Sequence, residues 1–367
     1  LVTQFASSTV QSLIQDPIAN YPFSTVACFD ATMGALPRRR LDHDRMGEFL
    51  VRMDTYRPDA LLIGASTGQG HLRTVEELEE WFRVAAAAEA SDRNKFRALL
   101  AALLRPEDGP ANDHLLNVLA ELGYPIVFVR PGNNLGANPT DEAIVANMRP
   151  LVAGAAQRGL AVGLYSISDV SGCPMSPDVA AELVAGPGGE NIVAIKVTEA
   201  NYEHSTLRFL DDPRLAHLKI VQGWDPHLAR ALQDGPRHDI TRRQRCGFTS
   251  GAMSFAINNY VEIAKSAQAG NWDEVADYQQ AVTTVFAAMQ DDPTKFADLQ
   301  RAKFIMGLGH PITRDITPEQ VERVFAALEG LPNSAGKICL AGSLKMMSNC
   351  PYEERLTAII HSAKRPD

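Results

Sequence analysis

The chain has 367 residues, 45% of them apolar and 22% charged, with 26 Gly and 22 Pro; these proportions exclude a disordered, collagen-like or low-complexity protein. Its 35 Lys and Arg against 44 Asp and Glu leave a formal charge of −9. With no basic run beyond Arg38-Arg39-Arg40 and Arg242-Arg243, the charge pattern argues against a nucleic-acid partner.

Short apolar runs then alternate with helical patterns along the chain. The first run is Ser24 to Phe29, followed by an amphipathic stretch from Arg45 to Tyr56. The second is Ala60 to Ile63, and Thr74-Val75-Glu76-Glu77 after it is a capping box opening a helix to Ala90. Runs three and four are Phe96 to Leu104 and Pro125 to Val129. The fifth, Ala161 to Tyr165, precedes Ser176-Pro177, an N-cap with proline at the first helical position. The sixth is Asn191 to Lys196, the seventh Leu218 to Val221 before Asp225-Pro226, and the eighth Cys246 to Thr249 before a helix from Met253 to Gly270.

Near-continuous apolar strands that alternate with helices imply a parallel sheet buried on both faces. Eight repeats fit a closed (β/α)8 TIM barrel, an α/β fold, better than an open doubly wound sheet. Beyond Gly270 only helices are expected: Trp272 to Met289, Pro293 to Met306, Thr317 to Leu328 and a last one over Tyr352 to Ala363, with Pro332 to Gly336 as a breaker cluster. The predicted organisation is an N-terminal extension over 1–23, the barrel over 24–270 and a C-terminal helical appendage over 271–367. No apolar run approaches the roughly 18 residues of a membrane span, and no basic-then-apolar secretory signal is visible. The five cysteines include no C-x-x-C and read as reduced thiols, which predicts a cytoplasmic protein.

Barrel enzymes carry their chemistry at the C-terminal ends of the strands. Those positions hold Ser66 and Thr67, Arg105, Arg130, Tyr165, Lys196, the group Gln222, Trp224 and Asp225, and finally Thr249 and Ser250. Lys196 directly ends the apolar run Ile192 to Ile195. An amine in a dry barrel mouth is pushed toward its neutral form, and its lone pair then attacks a ketone carbon to give an imine. An arbitrary strand-end lysine more often snorkels to water. Tyr165 on the preceding strand favours the chemical reading, because a phenol beside the amine moves the protons that imine formation requires. The loop Gly64 to Gly70 has glycines for close backbone approach and two hydroxyls suited to a carboxylate. It is neither a phosphate-binding P-loop nor a dinucleotide fingerprint. No H-e-x-x-H or clustered His and carboxylate set stands out, so neither metal nor other cofactor is expected. Cys28 and Cys173 read as packing residues.

These residues carry a resemblance. The chain resembles the dihydrodipicolinate synthase / N-acetylneuraminate lyase family of Schiff-base-forming class I aldolases, as a divergent member. Ala65-Ser66-Thr67-Gly68-Gln69 matches the family's G-T-T-G-E loop, and Tyr165-Ser166-Ile167-Ser168…Ser171-Gly172 its Y-N-x-P…T-G segment. Ala194-Ile195-Lys196 matches G-I-K, and Gly247-Phe248-Thr249-Ser250 matches G-x-x-S. The resemblance covers about residues 24 to 330 and implies Lys196 as the imine lysine and Tyr165, linked to Ser66 or Thr67, as the proton shuttle. It also implies Ser66 and Thr67 as ligands of a 2-oxo acid carboxylate such as that of pyruvate, with the Thr249 backbone as floor, and a homo-oligomer, dimer or tetramer.

The departures matter too. The synthases carry an arginine five residues after the strand-five tyrosine, where this chain has Val170, and a tyrosine pair where it has Arg130-Pro131-Gly132-Asn133-Asn134. Arg105, Arg130 and Asn133 are the candidates for a substitute anchor of a second substrate. The expected activity is that of a lyase acting on pyruvate or another 2-oxo acid, by aldol addition, retro-aldol cleavage or dehydration, with an aldehyde or sugar acid as further substrate. The alternatives are 4-hydroxy-tetrahydrodipicolinate synthase with a relocated anchor and a non-catalytic 2-oxo-acid-binding relative.

Overall fold

Each of the eight expected runs forms a strand in the computed structural model of the protein, which describes residues 6–37, 39–91, 96–290 and 299–364. The strands are β1 (Ser24–Ala27), β2 (Ala60–Ile63), β3 (Leu99–Leu104), β4 (Ile126–Val129), β5 (Ala161–Ser166), β6 (Ile192–Val197), β7 (Lys219–Gln222) and β8 (Cys246–Ser250). Every one pairs in parallel with its neighbours in sequence, and β1 pairs with β8 to close the barrel. Closure with helices between strands is the (β/α)8 architecture. It explains why the strands are mostly apolar, with polar residues at their ends: one face packs into the barrel, the other under the helices, and β2, β4, β5, β6, β7 and β8 are buried at every residue.

Strand ends differ from expectation where side chains take over the backbone. The third run begins pairing only at Leu99, because the amides of Arg97 and Ala98 donate instead to the Asp54 carboxylate, at 3.0 and 2.9 Å. After β1 the chain turns into a small antiparallel ribbon, Thr32–Met33 against Arg40–Leu41, which no sequence pattern announced. The expected helix over Pro293 to Met306 lies partly outside the described residues; its observed portion is Gln300–Ile305. The cluster Pro332 to Gly336 breaks the chain between helices Pro318–Glu329 and Ser334–Leu344, and its last three residues already belong to the second. The Asn333 side chain accepts from the Gly336 amide at 2.9 Å and caps a helix over Ser334–Leu344. Its Ser-Ala-Gly opening carries no apolar periodicity.

The segment before β1 has a structural task. Helix Ser8–Gln15 is capped by Ser7, and its Val10 and Leu13 are 2% and 1% exposed. Both belong to the cluster that fills the barrel interior with Leu62, Leu103, Phe128 and Val221. Lys219, the first residue of β7, donates to the Ile18 carbonyl at 3.2 Å, so this segment closes the N-terminal end of the barrel. Leu13→Ala is therefore expected to cost about 2–5 kcal/mol, the range for deleting a buried leucine side chain. Chemical denaturation would read this as a lower midpoint with an unchanged slope.

The C-terminal helices fold back over the opposite rim, at the C-terminal ends of the strands. Gln300 Nε2 donates to the Thr67 carbonyl at 2.6 Å, the Ile312 amide to Gln69 Oε1 at 2.7 Å, and Lys303 Nζ to Asp30 at 2.6 Å. The loop between β2 and its helix is thus held from above.

Candidate active site

Lys196 and Tyr165 are register partners on β6 and β5, each one residue from its strand's C-terminal end. The parallel ladder therefore sets amine and phenol side by side. Lys196 Nζ lies 4.0 Å from the centre of the Tyr165 ring, and the lysine is only 4% exposed. Burial disfavours its ammonium form, Asp225 opposes this, and the pKa falls to about 7. The neutral amine is then accessible near neutral pH. A backbone choice makes room for the amine: a Cβ at Gly223 would collide with Thr198 Oγ1 and stand 3.1 Å from Lys196 Cε.

Three further groups surround the pair. Thr198, two residues beyond Lys196 and so on the same side of the extended chain, donates its hydroxyl to the Tyr165 oxygen at 3.2 Å. Burial raises the phenol's pKa, and that hydrogen bond lowers it. Half-buried Asp225 accepts from Ser250 Oγ at 2.6 Å and from the Tyr260 hydroxyl, and burial raises its pKa. Glu199 fixes the turn after β5 by accepting from Ser166 Oγ at 2.8 Å and from the Ser168 amide and hydroxyl at 2.9 and 2.5 Å.

The loop after β2 is a compact turn that only glycine permits at position 70, where a Cβ would run into the Gly64 carbonyl. Thr67 from this loop and Thr249 from β8 line the same cavity as Lys196 and Tyr165, a space of 410 Å³. Ser66 is buried beside them in sequence, and its hydroxyl has no hydrogen-bond partner among the described residues; the Thr249 hydroxyl shares that condition. The Tyr165 oxygen takes its hydrogen bond from Thr198, whereas the resemblance implied Ser66 or Thr67.

The three anchor candidates stand elsewhere. Arg105 donates to Asp108 at 2.8 and 2.7 Å and to the carbonyls of Gly70 and Arg73, bracing the β2 loop from outside. Arg130 binds Glu107 and the Pro131 carbonyl, and Asn133 is exposed on the loop after β4. None of the three lines the cavity. Thr198, Asp225 and Trp224 do line it, as do Phe286 from helix Trp272–Ala287 and Gln290 just beyond that helix. The alternation from Lys196 was a usable signal for Thr198, whereas nothing local in sequence marks Phe286. Among the described residues there is no group of three or more side chains suited to a metal ion, and no helix long and apolar enough to cross a membrane.

A closed barrel of eight parallel strands with a buried lysine and a tyrosine at its mouth defines the fold class, a (β/α)8 TIM barrel. Comparisons narrow this. Residues 151–323 match the model of the dihydrodipicolinate synthetase family. The chain is 27% identical over 289 residues to a 4-hydroxy-tetrahydrodipicolinate synthase of Xanthomonas axonopodis pv. citri, covering 77% of this chain and 85% of that protein. It is 36% identical to the Stenotrophomonas maltophilia counterpart over 97 residues, 26% of this chain and 30% of that one. Among solved structures it superimposes on a Sulfolobus solfataricus 2-keto-3-deoxygluconate aldolase variant with TM-score 0.68 and 16% identity, covering 89% of this chain and all of that one. The prophage protein YagE of E. coli K12, determined in complex with pyruvate, gives TM-score 0.69 and 16% identity over 85% and 98% of the two chains. The chain is thus similar to dihydrodipicolinate synthase proteins, by family model over residues 151–323 and by a relative over 77% of its length, and this similarity supports a lyase in general terms.

Proposed function

We propose that the protein joins a 2-oxo acid such as pyruvate to Lys196 as an imine and uses it for aldol addition, retro-aldol cleavage or dehydration. The observation that carries this reading is the buried amine with its pKa of about 7, stacked on Tyr165 in a cavity at the strand ends. In this reading the neutral amine attacks the ketone carbon, and the carbinolamine loses water with Tyr165 handing protons between nitrogen and oxygen. The Thr198 hydroxyl orients the phenol. The hydroxyls of Ser66 and Thr67 take the 2-oxo acid carboxylate, with Thr249 beneath it, and Arg105, Arg130 and Asn133 serve the loops that frame the mouth. The protonated imine withdraws electrons, so the adjacent carbon loses a proton and an enamine forms.

The five free cysteines, four of them buried, suit a reducing compartment, so we place the protein in the cytoplasm. The reading also carries over the family's homo-oligomeric state.

The enamine step is testable without knowing the second substrate. In D2O the protein is expected to exchange the methyl protons of pyruvate for deuterium, followed by proton NMR. Retention of the methyl signal on folded protein, with pyruvate and with longer 2-oxo acids, would overturn the proposal. Tyr165→Phe is expected to slow the same exchange by about 10²–10⁴-fold, the usual worth of a positioned acid–base group. An unchanged rate would remove Tyr165 from the mechanism.

A further inference from the structure

We infer that the second substrate is an aldehyde whose substituent is apolar and uncharged, such as an aryl or alkyl aldehyde, a conclusion that rests on the imine reading above. The cavity has two chemically different walls. The barrel contributes Lys196, Tyr165, Thr67 and Thr249, the polar groups assigned to the 2-oxo acid. The facing wall is Trp224 and Pro226 from the loop after β7, Phe286 and Ala287 from helix Trp272–Ala287, and Leu299. Its polar members are Thr283, Gln290 and, between Trp224 and Pro226, Asp225. At 410 Å³ the space falls within the roughly 300–1,000 Å³ of small-molecule sites, so it has room beyond a three-carbon acid.

Charge excludes an acidic partner. Among the described residues that line the cavity Lys196 is the one cation, and imine formation commits it to the first substrate. The other ionisable lining groups besides Tyr165 are Asp169 and Asp225, both acids. A carboxylate on the second substrate would leave water to face two carboxyl groups with no cation opposite among the described lining residues, which a low-dielectric site penalises strongly. The two guanidiniums nearest in sequence to the strand ends are already held by Asp108 and Glu107. Val170 stands at the turn after β5 and packs against the barrel-interior cluster. A polyhydroxylated chain would also leave most of its hydroxyls against Trp224, Pro226, Phe286 and Leu299. An aryl or alkyl group instead gains from losing water at that wall.

The chemistry balances. The enamine carbon, which has given up one proton, bonds to the aldehyde carbonyl carbon, and the aldehyde oxygen gains a proton. Water then cleaves the imine, restoring the Lys196 amine and releasing a 4-hydroxy-2-oxo acid.

The test uses the whole chain with pyruvate and four aldehydes: benzaldehyde, hexanal, succinic semialdehyde and glyceraldehyde. Product is read by mass spectrometry, and deuterium exchange into pyruvate is measured on the same sample. The expected result is exchange together with a kcat/KM for benzaldehyde or hexanal at least tenfold above that for the other two. Phe286→Lys is expected to reverse the order toward succinic semialdehyde. Exchange with preference for succinic semialdehyde or glyceraldehyde, or with no aldehyde turned over, would overturn this inference and leave the imine standing. Absence of exchange would overturn both.

Discussion

Lys196→Met is expected to be inert and at the same time more stable than the wild type. Turnover, read as pyruvate methyl exchange, should fall by roughly 10⁴-fold or more, since no other group supplies the amine. The stability gain follows from the same burial. A lysine whose pKa falls from 10.5 to about 7 on folding pays for its confinement at every pH where the unfolded chain holds the proton. At pH 7 this amounts to on the order of 4 kcal/mol, at 1.36 kcal/mol per pKa unit. The sign is that of a depressed base. The cost is full below about pH 7, shrinks as pH rises from there, and vanishes above about 10.5. Methionine has a similar length and no charge, so it removes this cost. Asp225 loses its cationic neighbour, which offsets part of the gain. The thermal midpoint of the variant should therefore lie a few degrees higher at pH 6.5, with the difference closing by pH 10.5. A variant less stable at both values would mean that the lysine is charged and satisfied in the fold. Activity of the wild type should rise with pH through about 7 as the free amine appears.

Asp30→Ala is expected to have the largest effect on stability. Asp30 lies just beyond β1, and its carboxylate joins Arg73 from the loop after β2 to Lys303 from helix Gln300–Ile305. All three side chains are fully buried. Arg73 also reaches Glu77 at 3.1 Å, whereas Lys303 relies on Asp30, and its own pKa drops to about 8 through burial. Removing the carboxylate leaves two cations in a dry interior, a change that costs about 3–5 kcal/mol in buried ion pairs. Because the cluster ties the C-terminal helices to the β2 loop, the loss should show as early unfolding of both. Hydrogen exchange would find it in the amides around Thr67 and in Gln300–Ile305 before the barrel strands. A variant of wild-type stability and protection would show that the cluster contributes nothing net.

The barrel was legible because parallel strands buried on both faces need apolar centres, and each run from Ala60–Ile63 to Cys246–Ser250 met that requirement in chain order, with polar residues confined to the strand ends. Lys196 was legible for the same reason: a charged residue closing an apolar strand stands out. What was not legible depends on partners far away in sequence. Nothing near Asp30 announces Lys303, and nothing near Lys196 announces Phe286, because the C-terminal helices return to the rim only in three dimensions. Arg130 meets Glu107 across a neighbouring loop, which strand-end position alone does not reveal. Arg105 is different. Its partner Asp108 lies three residues away, and that local pairing was open to reading. The helix Ser334–Leu344 was hidden by small residues at its start, although Asn333 was a readable cap.

The measurement that bears most directly on the account is borohydride reduction in the presence of pyruvate, followed by peptide mass spectrometry. A reduced pyruvate adduct is expected on the peptide containing Lys196, dependent on pyruvate and absent from Lys196→Ala. An adduct on a different lysine, or none on folded protein with pyruvate and longer 2-oxo acids, would contradict it.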